Sequence, residues 1–171
     1  MTLAAVSDAG SLIHLAEIDS LALLSAFETL LIPETVYDEI ERGGLPDGIS
    51  DLSYDLVDAE ESSVDSDELD PGERAAIAVA RDREIVLPTD DLAARDSASA
   101  DGIDVHGSIG VVALGYSRGL LDRDDAASRM RALQRETSLF VSEAVVERGI
   151  RMLRPPERAR FIGVSESQRA R

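Results

Sequence analysis

Four carboxylates, Asp8, Glu39, Glu73 and Asp91, stand where apolar runs end or helical patterns begin. Leu3-Ala4-Ala5-Val6-Ser7 climbs to Asp8, and the chain turns over Ala9-Gly10 into a helical pattern at Leu12. Asp91 follows a second apolar run, Glu84 to Leu87, by way of Thr89 and Asp90. In an open α/β sheet, ligands bind beyond the carboxyl ends of the strands, and both aspartates fall at such ends. Glu73 shares a helical face with Ala76, Ile77 and Ala80, while Glu39 borders Val36 and Ile40. Four carboxylates in one pocket repel, and without a partner some take up a proton. A divalent cation removes the conflict, and a donor set made only of oxygen selects a hard ion, Mg²⁺ or Mn²⁺. Such an ion acidifies a bound water and polarises a phosphoryl oxygen, as phosphodiester hydrolysis requires.

Each acid also has a simpler explanation. Asp8 suits the cap of the helix after it. Asp70, Pro71 and Glu73 fit a capping box. Thr89-Asp90-Asp91 is a helix start, and Glu39 can be a solvated glutamate. The inward face of Glu73 and the shared sheet edge of Asp8 and Asp91 favour a site. His14 lies near Leu15 and Ile18 and is expected to be a packed helical histidine; His106 is given no role. Gly107-Ser108-Ile109-Gly110 is too short for a phosphate loop and lacks lysine, so it is expected to let a helix pack closely.

The chain has 171 residues, enough for one domain with a sizeable core. It has no cysteine and two histidines, which leaves too few ligands for a zinc site. There are 34 acids against 17 basic residues, all of the latter arginine, for a net charge of −17. That excess would self-repel in dilute salt. Molar salt screens charges within about 3 Å, so the acidity points to a halophilic, high-salt cytosol and leaves a nucleic-acid partner open. Residues 129–171 are basic, with 10 arginines and 5 acids, and are expected to form ordinary helix ends and a solvated tail. No apolar run is long enough to span a bilayer and no leader pattern opens the chain, so a cytoplasmic location with no membrane partner is expected.

Buried strands are expected at Leu3–Ser7, Thr29–Ile32, Glu84–Leu87 and Ile103–Val105, with an edge strand within Tyr54–Ala59. Helices are expected after Ala9, Leu21, Pro33, Asp70, Asp91, Gly107, Asp122 and Ser142. Glu60–Asp70, mostly Ser, Asp and Glu, is expected to be an exposed loop. Pro155-Pro156 ends the last helix, so residues 1–154 form the domain and 155–171 an Arg-containing mobile tail, of which Phe161-Ile162 could dock. Alternating strands and helices argue a parallel sheet covered on both faces.

These segments together resemble the PIN-domain superfamily, in the branch catalogued as DUF3368 and related to toxin ribonucleases of VapC type. The matching stretches are Asp8-Ala9-Gly10-Ser11-Leu12-Ile13-His14-Leu15-Ala16, Ile32-Pro33-Glu34-Thr35-Val36-Tyr37-Asp38-Glu39-Ile40, Pro71-Gly72-Glu73-Arg74-Ala75-Ala76-Ile77-Ala78, Leu87-Pro88-Thr89-Asp90-Asp91 and Gly107-Ser108-Ile109-Gly110-Val111-Val112. The resemblance implies a three-layer α/β/α fold with a central parallel sheet of about five strands. It implies that Asp8, Glu39, Glu73 and Asp91 are the catalytic and metal-binding acids, holding Mg²⁺ or Mn²⁺. Asp90 is an auxiliary acid, and Thr89 and Ser11 orient carboxylates or contact phosphate. The implied activity is endoribonucleolytic hydrolysis of RNA by a toxin, with a small antitoxin protein as partner and a homodimer as the assembly. Two departures stand out. Ala9-Gly10 lies where the family often has a hydroxyl residue, and Glu73 where many toxins have aspartate. They motivate an alternative, a PIN-like protein- or RNA-binding module that no longer cuts. The chain lacks the lysine of a receiver-type phosphoacceptor and the paired aspartates of a haloacid-dehalogenase phosphatase. It also lacks the glycine fingerprint of a Rossmann cofactor domain.

Overall fold

The computed structural model describes residues 3–59, 64 and 67–154. The expected tail at 155–171 and most of the acidic stretch after Ala59 lie outside the described residues. Five short strands run in parallel: β1 (Ala4–Val6), β2 (Thr29–Pro33), β3 (Asp55–Val57), β4 (Leu87–Pro88) and β5 (Val105–His106). β1 pairs with β2 and β2 with β3; β4 pairs with β5. A parallel bridge between Ala5 and Val86 joins the two groups, with Val6 N–H donating to Val86 O at 2.9 Å and Val86 N–H to Ala4 O at 3.1 Å. The spatial order is therefore β3-β2-β1-β4-β5. The direction of winding reverses between β1 and β4, and a sheet of this kind opens its crevice at that point.

The central strands β1, β2 and β4 are largely apolar because both their faces are covered, while the edge strands β3 and β5 carry exposed Asp55, Leu56 and His106. Ala5, Leu30, Ile32 and Val86 point into one core. Their neighbours Val6, Leu31 and Leu87 point into the other. This two-residue alternation divides the helices into two layers. On the first side lie α1 (Ala9–Glu17), a 3-10 turn at Leu21–Ala26, α5 (Ser108–Ser117), α6 (Arg123–Glu136) and α7 (Glu143–Arg151); Val36 and Ile40 of α2 (Glu34–Arg42) join this core. On the second side lie α3 (Pro71–Arg83) and α4 (Leu92–Ala100). The three-layer α/β/α arrangement is thus present.

Two strands differ from expectation. Glu84 takes φ 53° as the left-handed cap of α3, so it cannot begin a strand, and β4 starts at Leu87. β5 likewise lies two residues later than Ile103. Gly102, at φ 75°, turns the chain after α4, and Ile103 N–H still bonds back to Ala98 O.

Candidate active site

Three helices begin at the crevice between β1 and β4, each with an aspartate as its cap. Asp8 caps α1, Asp70 caps α3 and Asp91 caps α4. The unpaired N–H groups and positive dipole ends of the helices favour carboxylates there. A cavity of about 520 Å³ opens among them, lined by six acids: Asp8, Glu39, Asp70, Glu73, Asp90 and Asp91. Among the described residues no arginine lines it.

Asp8 is the most enclosed of the six, 3% exposed. Its Oδ1 accepts the Ser11 N–H at 2.9 Å and its Oδ2 accepts the Thr89 hydroxyl, so both oxygens are oriented. Burial nevertheless pushes its pKa up to about 6, against the lowering effect of those hydrogen bonds, and Asp90 adds repulsion. Ser11 Oγ is buried with no hydrogen-bond partner among the described residues.

Glu73 both caps and faces inward. Its N–H donates to Asp70 Oδ1 at 2.7 Å, while its Oε2 accepts the Asp70 N–H at 2.9 Å, completing the capping box. Burial pushes its pKa up to about 7, and repulsion from Asp70, Asp91 and Asp8 adds to this. The third residue of α3 both belongs to the box and turns toward the cavity, so the two explanations of Glu73 coincide. Glu39 is exposed on α2 and reaches over the first turn of α3. A methyl group on Gly72 would lie 2.7 Å from its Oε2. Partial burial, then repulsion from Asp70, raises its pKa. Asp91 Oδ1 accepts the Ala94 N–H at 2.8 Å, and its own N–H donates to Thr89 Oγ1 at 3.3 Å.

Asp90 plays a different part from its neighbour. Oδ1 accepts the Ser108 N–H at 2.7 Å, and Oδ2 accepts the Ser108 hydroxyl and His14 Nδ1, the latter at 2.8 Å. Burial alone would raise its pKa, but these three donors outweigh it and hold the carboxyl below its usual range. His14 rises above its ordinary value through the same bond. His14 is therefore not simply a packed helical residue. It faces the cavity and ties α1 to the chain after β4. Its position four residues after Gly10 placed it on the face of the Asp8 turn, a signal outweighed at first by its apolar neighbours Leu15 and Ile18. Asp70 and Ser108 were also missed as site residues, each having been assigned only a local role. Leu139 and Phe140, which close one wall, gave no signal in sequence.

The acids fit a hard divalent ion in donor chemistry, all oxygen, and in charge, since among the described residues neither buried Asp8 nor half-buried Glu73 is hydrogen-bonded to or ion-paired with a basic side chain. They do not yet grip one. Among the described residues no group of three or more His, Asp or Glu side chains is gathered tightly enough to hold a metal ion. Glu73 and Asp91 each give one oxygen to a capping bond.

The sequence profile of a family described as a PIN domain, DUF3368, matches residues 4–154. A solved structure, a PilT N-terminus domain protein from the hyperthermophilic archaeon Sulfolobus solfataricus P2, is similar in fold. It has a TM-score of 0.54 and 16% identity, covering 64% of this chain and 90% of that one. No curated protein matches the chain.

Proposed function

The chain belongs to the PIN-domain family DUF3368, whose members are commonly nucleases, and from that membership we propose that it is a Mg²⁺- or Mn²⁺-dependent endoribonuclease. The observation that carries the reading is the cavity itself, with six carboxylates, no arginine among the described residues, and three acids, Asp8, Glu39 and Glu73, whose pKa values burial has lifted. Asp8, Glu39, Glu73 and Asp91 would hold the ion, directly or through water. When bound, it supplies an acidified water and stabilises charge on the phosphoryl and leaving oxygens. Thr89 and the Ser11 amide fix the Asp8 carboxylate in one orientation. Glu73, with a pKa near 7, suits the removal of a proton from an attacking water. Asp90, its oxygens taken by Ser108 and His14, positions the Thr89–Asp91 turn.

The toxin role in a toxin–antitoxin pair, with RNA as substrate and a small antitoxin protein as partner, belongs to the same proposal. Its support is the family likeness, and a short reading frame beside the gene would identify the partner. The second reading, a module that binds without cutting, draws on the capping bonds that already engage one oxygen each of Glu73 and Asp91. Gly10 gives it less support, because a Cβ there would meet Asp8 and His14 only at 3.9 Å.

Calorimetry with Mn²⁺ in molar KCl, followed by RNA cleavage assays, separates the two. Binding and cleavage by the wild type, both lost in a folded Asp8→Asn variant, are expected. A folded wild-type protein that takes up no metal would leave the binding-module reading.

A further inference from the structure

A second depression adjoins the acidic cavity across Phe140. It has a volume of about 410 Å³, and Asp90, Leu92, Leu139 and Phe140 line both. Its other walls come from the start of α5 and from one face of α7, where Val145, Arg148, Gly149 and Met152 fall at helical spacing. Two features meet in this groove. Phe140 is fully exposed, and Leu92, Val145 and Met152 are exposed around it. Arg95 and Arg148 line the groove, and no hydrogen bond or ion pair engages either guanidinium among the described residues. Both lie in a protein with twice as many acids as arginines.

A bare aromatic ring beside free guanidinium groups is a platform for an unstacked base next to seats for phosphates. A purely apolar partner would leave the arginines unpaired, and an acidic peptide would leave the ring unused. A duplex keeps its bases inside the stack and offers none to the ring.

We propose that this groove holds single-stranded RNA next to the bond to be cut, with a base stacked on Phe140 and backbone phosphates on Arg95 and Arg148. The inference rests on the nuclease reading for its link to cleavage, but its test does not require cleavage. The strand would cross from the cationic groove into the acidic cavity over the Phe140 wall, so these three residues position substrate and take no part in the chemistry.

The experiment is fluorescence anisotropy of a labelled single-stranded RNA of mixed sequence, with the matching duplex as comparison, in EDTA across a KCl series. Phe140→Ala is expected to weaken binding about 10-fold or more, the effect of losing one base stack, and Phe140→Trp to restore it. The Phe140 ring buries nothing, so its removal leaves the fold intact. Arg95→Ala and Arg148→Ala are each expected to reduce the slope of log affinity against log salt by about 0.7, one phosphate contact on a single strand. With Mn²⁺ added, kcat/KM should fall in parallel with affinity. Equal affinity of wild type and Phe140→Ala, or a preference for duplex, would overturn the inference. So would absence of RNA binding together with self-association that Phe140→Asp abolishes in sedimentation, which would make the patch a contact between copies. Groove-dependent binding without hydrolysis would sink the nuclease reading alone. Hydrolysis indifferent to Phe140 and both arginines would sink this inference alone.

Discussion

Asp8 is the most deeply buried carboxylate in the crevice. Its folded pKa of about 6 lies above the ordinary 3.8, so the folded protein holds that proton more tightly than the unfolded chain. Stability must then fall as pH rises from about 4 through 6, and it stays lower above that. The shift corresponds to about 3 kcal/mol at pH 8 for this buried group. Asp8→Asn keeps the shape and the Ser11 bond while removing the charge. In EDTA it should melt later than wild type at pH 8 and equally at pH 4, and in Mn²⁺ that order should narrow or reverse. A variant less stable than wild type at pH 8 in EDTA would show that Asp8 is already neutralised by other means. The contribution of the His14–Asp90 pair is bounded on both sides in pH. Asp90 is depressed, so its contribution is present above the ordinary aspartate pKa and lost on acidification. His14 is raised, so its contribution is full below its ordinary value and lost as pH rises through the folded one. His14→Ala should therefore cost about 1.5–3 kcal/mol, as for a hydrogen bond to a charged group. The loss should be largest between about pH 4 and 6.5, and urea melts across pH would show it. A loss that does not vary with pH would reduce His14 to packing.

At the scale of elements, helix caps and candidate site are the same residues. α1, α3 and α4 all start in the crevice, and their caps supply half of its acids. This makes Asp70 a test of which role matters. Asp70→Ala should destabilise the protein by about 1 kcal/mol, the usual loss of a cap. Asp70→Ser should recover most of that, since serine caps equally well. Both should lower the pKa of Glu73 by removing its nearest acidic neighbour, seen as a shift of the Glu73 carboxyl in NMR titration. An unmoved titration would mean that burial, with Asp91 and Asp8, holds it up without Asp70. The same coincidence explains what was legible in the sequence. The capping box at Asp70–Glu73 and the caps at Asp8, Asp91, Asp122 and Ser142 are local patterns, and each helix starts where its cap stands. Helix and strand order followed from periodicity. The hydrogen bonds from His14 and Ser108 to Asp90 span 76 and 18 residues, and no local pattern encodes them. Nor could periodicity show that Glu84 would adopt φ 53° and delay β4. Cap and ligand ask for the same residue types, so Asp8, Glu73 and Asp91 read as both in sequence.

Over the whole molecule, the acid excess and the site have to be reconciled. A net charge of −17 concentrates self-repulsion on a fold of 171 residues. Among the described residues, ion pairs join His14 to Asp90 and Arg81 to Asp82, and seventeen arginines cannot neutralise thirty-four acids. The two layers of core, built on residues such as Leu12, Leu24 and Ile77, supply the opposing term at about 1.5–3 kcal/mol per fully buried large side chain. Salt shifts this balance in one direction, because screening shortens to about 3 Å at 1 M. Thermal melts should rise steeply from 0.1 M to molar KCl, and more than in sucrose at equal osmotic strength, which does not screen charge. The cavity should respond differently. Its Mn²⁺ affinity should fall only modestly over the same range, since contacts between an ion and buried carboxylates are far less screened than surface charges. RNA affinity in the neighbouring groove should fall with every added increment of salt, because it depends on exposed arginines and phosphates. One KCl series with three readouts, melting, Mn²⁺ uptake and RNA anisotropy, would thus separate fold, site and groove. Melting that is flat with salt would remove the high-salt habitat as the reason for the acidic surface, without touching the other two.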